Sequence, residues 1–220
     1  MLIDSRRGLN DFLSYHLLMS LESENIVDLY ERHAEAWVQA RIQDSTLYEK
    51  VWLDRFLALV PHSGSVLDCG CGAGEPIARY LSQCGFSMLG IDSSPTMVRM
   101  FQTNLPGLRA AVTDMRTLCF PETFNDIIAW DSFFHLNHRD HRKMFQTFRN
   151  HTAPRAALMF TSGPSHGEIL GRLEGDSLYH ASLDAAEYRQ LPKEQGFAVV
   201  DHIVEDQSCF GRTVWLAQLQ

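Results

Sequence analysis

The sequence contains no apolar run approaching the roughly 20 residues that a bilayer-spanning helix requires. It has no internal repeat, no low-complexity tract and no Cys-x-x-Cys pair. Its cysteines are Cys69, Cys71, Cys84, Cys119 and Cys209. An odd number without paired spacing suits reduced thiols in a cytoplasmic protein and argues against a disulfide framework. Positive charge is also scarce. There are 19 Lys plus Arg against 27 Asp plus Glu, a formal net charge of −8. Such a chain lacks the long-range attraction for phosphate that nucleic-acid binders use, so a nucleic-acid partner is disfavoured unless a local basic patch exists. Residues 1–18 carry a short, polar-interrupted apolar stretch and no small-residue cleavage site, which does not read as a signal peptide. Met19 is a candidate second start, and 1–23 reads as an N-terminal appendage without expected order. The remainder, 24–220, has the length of a single domain.

Hydrophobic residues make up 45% of the chain and charged residues 21%, which is ordinary for a globular protein. Apolar residues recur at helical spacing over 24–42 and again over 47–60, where Pro61 and Gly64 stop the pattern. An alternation of strand and helix follows. Strands are expected at 65–68, 86–91, 108–112, 126–130, 156–161, 197–204 and 213–218. Helices are expected at 76–83, 95–104, 138–151 and 184–195. Alternation of this kind implies a mostly parallel sheet covered on both faces. The connection 205–212 is too short for a parallel crossover, so the last two strands should pair antiparallel. Residues 162–183 form a long, glycine-bearing connection between a strand and a helix. Connections of that length are usually functional, and Glu168, Tyr179 and His180 within it are candidate lining groups of a substrate pocket.

Four ordered motifs stand at expected strand ends, where ligands of open α/β sheets bind. The first is Val66-Leu67-Asp68-Cys69-Gly70-Cys71-Gly72-Ala73-Gly74. Glycines there let the backbone approach a ligand closely, and the following helix start favours a carboxylate-bearing group. The Gly-x-Gly-x-x-Gly dinucleotide register fails, because Glu75 or Ile77 stands where the third glycine should be. Glu75 would also repel a pyrophosphate. Asp68 is placed to receive an ammonium group. The second motif is Gly90-Ile91-Asp92-Ser93-Ser94-Pro95, whose Asp92 can accept from both hydroxyls of a ribose. In the third, Val112-Thr113-Asp114-Met115, Asp114 can accept from an adenine amino group while the Met115 N–H donates to the ring. The fourth runs from Ile127 through Trp130, Asp131 and His135 to Leu136.

In these motifs the chain resembles the class I S-adenosylmethionine-dependent methyltransferase family over about residues 24–220. The resemblance implies a Rossmann-like α/β fold with a seven-stranded, mostly parallel sheet. Its order would be 3-2-1-4-5-7-6, with strand 7 antiparallel and helices on both faces. It implies S-adenosylmethionine as cofactor and methyl transfer to an acceptor. Carried over by position, Gly70, Cys71, Gly72 and Gly74 would line the methionine and ribose part, with Asp68 near the amino group. Asp92 would hold the ribose and Ser93 would flank the adenine, whose edge Asp114 and Met115 would hold. Trp130 would lie near the methionine end. Tyr30, Trp37 and Arg41 resemble lid residues on helices spanning 24–60.

His135 and Asp131 follow the fourth strand, where an acceptor should approach, and are the candidate catalytic groups; a histidine there could take a proton from a hydroxyl or amine. His135, His138 and His141 are spaced i, i+3, i+6, but they sit in a strongly solvated tract, and no metal site is expected. Cys69 and Cys71 read as small buried residues rather than as nucleophiles. No Asn-Pro-Pro-Tyr signature follows the fourth strand, which weakens the case for a base or glutamine amide acceptor and leaves a small molecule as the leading expectation. A protein or RNA methyltransferase, a NAD-dependent oxidoreductase and a non-catalytic cofactor-binding regulator remain as alternatives.

Overall fold

A computed structural model describes residue 15 and residues 17–43, 46–60 and 64–220. Most of the expected appendage, residues 1–14 and 16, lies outside the described residues. Residues 17–24 are helical, and Met19 is buried against Tyr179 and Ala181. Two helices follow, α1 (Ile26–Gln43) and α2 (Lys50–Leu57). Strands and helices then alternate: β1 (Ser65–Cys69), α3 (Ile77–Gln83), β2 (Ser87–Asp92), α4 (Pro95–Asn104), β3 (Arg109–Val112), β4 (Phe124–Ala129), α5 (His138–Asn150) and β5 (Thr152–Ser162). The chain closes with β6 (Gly167–Leu173), β7 (Asp176–Ser182), α6 (Ala185–Glu194), β8 (Phe197–Asp206) and β9 (Arg212–Leu219).

Seven strands form one sheet in the order β3-β2-β1-β4-β5-β9-β8. Counting only these seven, the order is the expected 3-2-1-4-5-7-6, with β9 antiparallel to both β5 and β8. The parallel registers place Asp68 opposite Gly90 and Asp92 opposite Val112, so the ends of β1, β2 and β3 lie side by side. The central strands are buried on both faces: Val66 and Leu67 of β1, and Ile127 and Ile128 of β4, have no exposed surface. One core layer gathers Phe133, Phe145, Phe148, Phe160, Tyr188 and Trp215 between α5, α6 and the sheet. The opposite layer packs Trp52 and Phe56 of α2 with Phe101 and Ile128. Burial of each such side chain contributes about 2–3 kcal/mol.

The connection 162–183 differs from the expected irregular loop. It folds back on itself as an antiparallel hairpin, β6-β7, outside the main sheet, with Leu173 opposite Asp176. Both turn residues, Glu174 (φ 51) and Gly175 (φ 93), adopt positive φ. That pair gives the tight turn whose twist matches two paired strands.

Candidate cofactor and acceptor cavity

A single cavity at the carboxyl ends of β1 to β4 brings together residues from all four motifs and from α1. Its floor is the loop after β1. Gly70 has φ +82, and a side-chain carbon there would lie 2.3 Å from Cβ of Ser132. Glycine is therefore required both for backbone conformation and for the close passage of the two loops. Ser132 locks that crossing by donating from its hydroxyl to the Cys69 carbonyl at 2.6 Å. The Asp92 carboxylate secures the next turn, accepting from the N–H groups of Gly72 (3.0 Å) and Ser94 (2.9 Å).

Six acidic side chains line this cavity: Glu49, Asp68, Glu75, Asp92, Asp114 and Asp131. Four are held by arginines, in the pairs Glu49–Arg41, Glu75–Arg79, Asp114–Arg116 and Asp131–Arg212. Asp68 and Asp92 have no cationic partner among the described residues. Burial, and then the charge of Asp92, push the Asp68 carboxyl up to about 7. Burial also raises Asp92, against the two backbone N–H groups it accepts from. Two adjacent carboxyls of this kind, Asp68 buried and Asp92 half-buried, favour a ligand that brings positive charge and hydroxyl donors.

A roof crosses this floor. On α1, Trp37 lies 3.6 Å from where a side-chain carbon of Gly72 would stand. Tyr30 donates to His135 Nε2 at 2.8 Å. Glu31 accepts from the Ser94 hydroxyl (2.5 Å), the Thr96 N–H (3.0 Å) and the Thr96 hydroxyl (2.7 Å) at the start of α4. Arg32 and His33 meet Asp176 of the hairpin, each at 2.9 Å. Four consecutive side chains thus tie the roof helix to three separate parts of the molecule.

The family profile described as a methyltransferase domain matches residues 66–155. That stretch begins in β1 and ends in β5. A curated relative, an uncharacterized methyltransferase of Alkaliphilus oremlandii, is 29% identical over 131 residues, which is 57% of this chain. The matched stretch spans 60% of that relative's length. Two solved structures are alike in fold, each with a TM-score of 0.68. One is the amino pentose methyltransferase CalS10 of Micromonospora echinaspora with S-adenosylmethionine bound, 18% identical, covering 84% of this chain and 97% of that one. The other is the magnesium protoporphyrin IX methyltransferase of Synechocystis PCC 6803, also with S-adenosylmethionine bound, 17% identical, covering 90% and 97%.

The structure gathers Asp68, Gly70, Cys71, Gly72, Gly74, Asp92, Ser93, Asp114, Met115, Trp130, Asp131 and His135 around one cavity, roofed by Tyr30, Trp37 and Arg41. The Cys71 thiol is buried and its pKa rises well above the ordinary value, so it is no ready nucleophile. Burial raises the pKa of Asp114, but the bonds from Arg116 outweigh it and hold the group below its usual range. Asp131 sits at φ 47 and binds Arg212 through both oxygens. Glu168, Tyr179 and His180 do not line the cavity. Tyr179 donates to Glu168 at 2.5 Å, and its backbone carbonyl holds His135 Nδ1 at 2.8 Å. His180 lies tilted beside His135, with ring centroids 4.8 Å apart. The three histidines of the fourth motif point apart in their contacts: His138 meets the Gly167 carbonyl and His141 the Tyr188 hydroxyl. Among the described residues no group of three metal-ligating side chains converges. Sequence reasoning missed Glu31, Arg116 and Arg212. Charged residues on exposed faces look alike in a sequence, and only their partners distinguish these three.

Proposed function

We propose that the chain is an S-adenosylmethionine-dependent methyltransferase acting on a small-molecule acceptor. The observation that carries this reading is the couple Asp68 and Asp92, buried and half-buried and without a cation, in a cavity whose other acids are all paired with arginines. The cofactor supplies an activated methyl group on a sulfonium. Asp68 would hold its amino group and Asp92 its ribose hydroxyls. Gly70, Cys71, Gly72 and Gly74 would pass along the methionine and ribose part, with Trp130 near the methionine end. Ser93, Asp114 and Met115 would border the adenine, and Tyr30, Trp37 and Arg41 would cover the whole. Glu31 would keep that cover in place.

In-line displacement asks chiefly for alignment, and the chain supplies it through the rigid floor and the tied roof. Asp131 and His135 border the acceptor's approach. A small acceptor fits better than RNA or an acidic protein, because Arg41, Arg79, Arg116 and Arg212 each hold a carboxylate and leave no basic patch at the cavity. The five free cysteines fit a reducing, cytoplasmic setting. No helix among the described residues is long and apolar enough to cross a membrane. Titration calorimetry with S-adenosylhomocysteine and with NAD tests the reading. Binding of the former is expected, and binding of NAD alone would overturn it. Binding without methyl transfer across a broad acceptor screen would favour a non-catalytic regulator.

A further inference from the structure

Tyr30 and His135 form a hydrogen-bonded pair in the cavity wall whose polarity can be read from its far end. His135 is 6% exposed, and its Nδ1 faces the Tyr179 carbonyl at 2.8 Å. A carbonyl only accepts, so Nδ1 carries the proton. Burial, helped by His180, pushes the His135 pKa down to about 3, which leaves the ring neutral and Nε2 a bare acceptor. The Tyr30 hydroxyl, 2.8 Å away, therefore donates to Nε2. With its one proton committed, Tyr30 offers the cavity only oxygen lone pairs. Burial, then Asp131 and Asp92, raise the Tyr30 pKa, so the phenol stays protonated.

The surroundings narrow what can meet those lone pairs. Asp131 and Glu49, the acids outside the strand-end couple and the adenine edge that face the roof, are bound by Arg212 and Arg41. An ammonium-bearing acceptor finds no free carboxylate there, and an anionic acceptor meets oxygen lone pairs. A hydroxyl acceptor needs its proton withdrawn, and His135 has no free ring nitrogen for that work, since Nδ1 faces the Tyr179 carbonyl and Nε2 the Tyr30 hydroxyl. An uncharged amine needs no such withdrawal.

Resting on the methyltransferase reading above, we propose that the acceptor is an uncharged amine whose N–H donates to Tyr30 Oη, with His135 as the positioning residue that keeps the tyrosine proton turned away. The nitrogen lone pair forms the new bond to the methyl carbon as the carbon–sulfur bond breaks. The electron pair of that bond remains on sulfur as a neutral thioether. The positive charge passes to nitrogen, and the methylated ammonium loses its proton to water on release.

Nitrogen-15 spectra of histidine-labelled protein give a readout independent of turnover. His135 should appear as the Nδ1–H tautomer at pH 7, and Tyr30→Phe should shift its Nε2 resonance. The opposite tautomer, or a protonated ring, would overturn the assignment. Methyl-labelled S-adenosylmethionine is then offered at pH 9 with benzylamine, aniline, benzyl alcohol, benzyl mercaptan and phenylacetate. Label on an amine nitrogen alone is expected; label on oxygen or sulfur, or on neither amine, sinks the acceptor class. Tyr30→Phe and His135→Gln should each raise the amine KM about tenfold, the loss of one hydrogen bond. The amine KM should rise more than the dissociation constant for S-adenosylhomocysteine in both, and an equal loss of both affinities would reduce the pair to a tie of the roof. Failure of the wild-type protein to bind S-adenosylhomocysteine would instead undo the underlying reading.

Discussion

The two halves of the cavity are built on opposite electrostatic plans. At the ends of β1 and β2, Asp68 is buried and Asp92 half-buried, neither has a cation, and desolvation raises both. Around the roof and the fourth motif, the acids that line the cavity are matched: Asp131 with Arg212 and Glu49 with Arg41. The first half therefore gains free energy when a cationic, hydroxyl-rich ligand arrives. The second half gains nothing from charge and selects by shape and hydrogen-bond polarity instead. A ligand class is written into the one and only a geometry into the other.

The sharpest break in that comparison is an exchange of variants between the halves. Asp92→Ala should weaken S-adenosylhomocysteine binding about 100-fold, near 3 kcal/mol, because a buried charge-assisted hydrogen bond is lost. Asp131→Asn should leave the same affinity within about threefold. Calorimetry on both checks it, and equal losses would erase the distinction.

Next in size is the buried acid outside the cavity. Asp126 of β4 accepts from the Ala157 N–H at 2.9 Å, and its other oxygen has no partner. Burial pushes it up to about 7, against the Ala157 bond. Its folded pKa exceeds the unfolded value of about 3.9, so the stability it contributes is complete below that value and is lost as pH rises through 7. Asp126→Asn should stabilise the protein by about 2 kcal/mol more at pH 8 than at pH 5. Denaturant melts at the two pH values measure this. His141 works with the opposite sign. Its neutral ring is pushed down to about 3 by burial first and by His138 second. Its contribution is complete above about pH 6.5 and falls away toward pH 3, by about 2 kcal/mol at pH 5.

Asp68 sharpens the contrast through pH. Its carboxyl is largely protonated below about 7, while the ammonium of a bound ligand favours the carboxylate. Affinity for S-adenosylhomocysteine should therefore rise with pH, approaching about tenfold per unit well below pH 7 and levelling above it. Asp68→Asn should flatten that slope. The smallest effect is expected at the roof's outer tie. The Arg32 and Asp176 side chains are 55% and 49% exposed, so Arg32→Ala should cost under about 0.5 kcal/mol in a thermal melt.

Most strands were legible before the fold was known, because short apolar clusters, Val66-Leu67 in β1, Ile127 to Ala129 in β4 and Ala156 to Phe160 in β5, stand between turn residues. The hairpin was not. In β6 exposure does not alternate, since Gly167 and Gly171 interrupt the pattern and Ile169 faces solvent, so no period of two can be found. The one local signal was Glu174-Gly175 between two short extended segments, a two-residue turn whose conformation needs positive φ. The cofactor half of the site was legible for a simple reason. Its glycines and acids occupy consecutive strand ends, and the parallel register alone carries Asp68 and Asp92 to neighbouring positions.

The acceptor half was decided by tertiary packing. Tyr30 meets His135 across 105 residues, Arg212 meets Asp131 across 81, and Glu31 meets Ser94 across 63. Each residue alone is an ordinary helix or loop side chain, and nothing in its neighbourhood along the chain marks it. By itself the sequence determined the alternation of strands and helices and set four motifs at strand ends, because those follow from local patterns on a regular scaffold. Only the folded chain decided which acids keep their charge, which arginines are occupied and which way the Tyr30 hydroxyl points. Those properties belong to pairs of groups, and the pairs exist only once distant elements have packed.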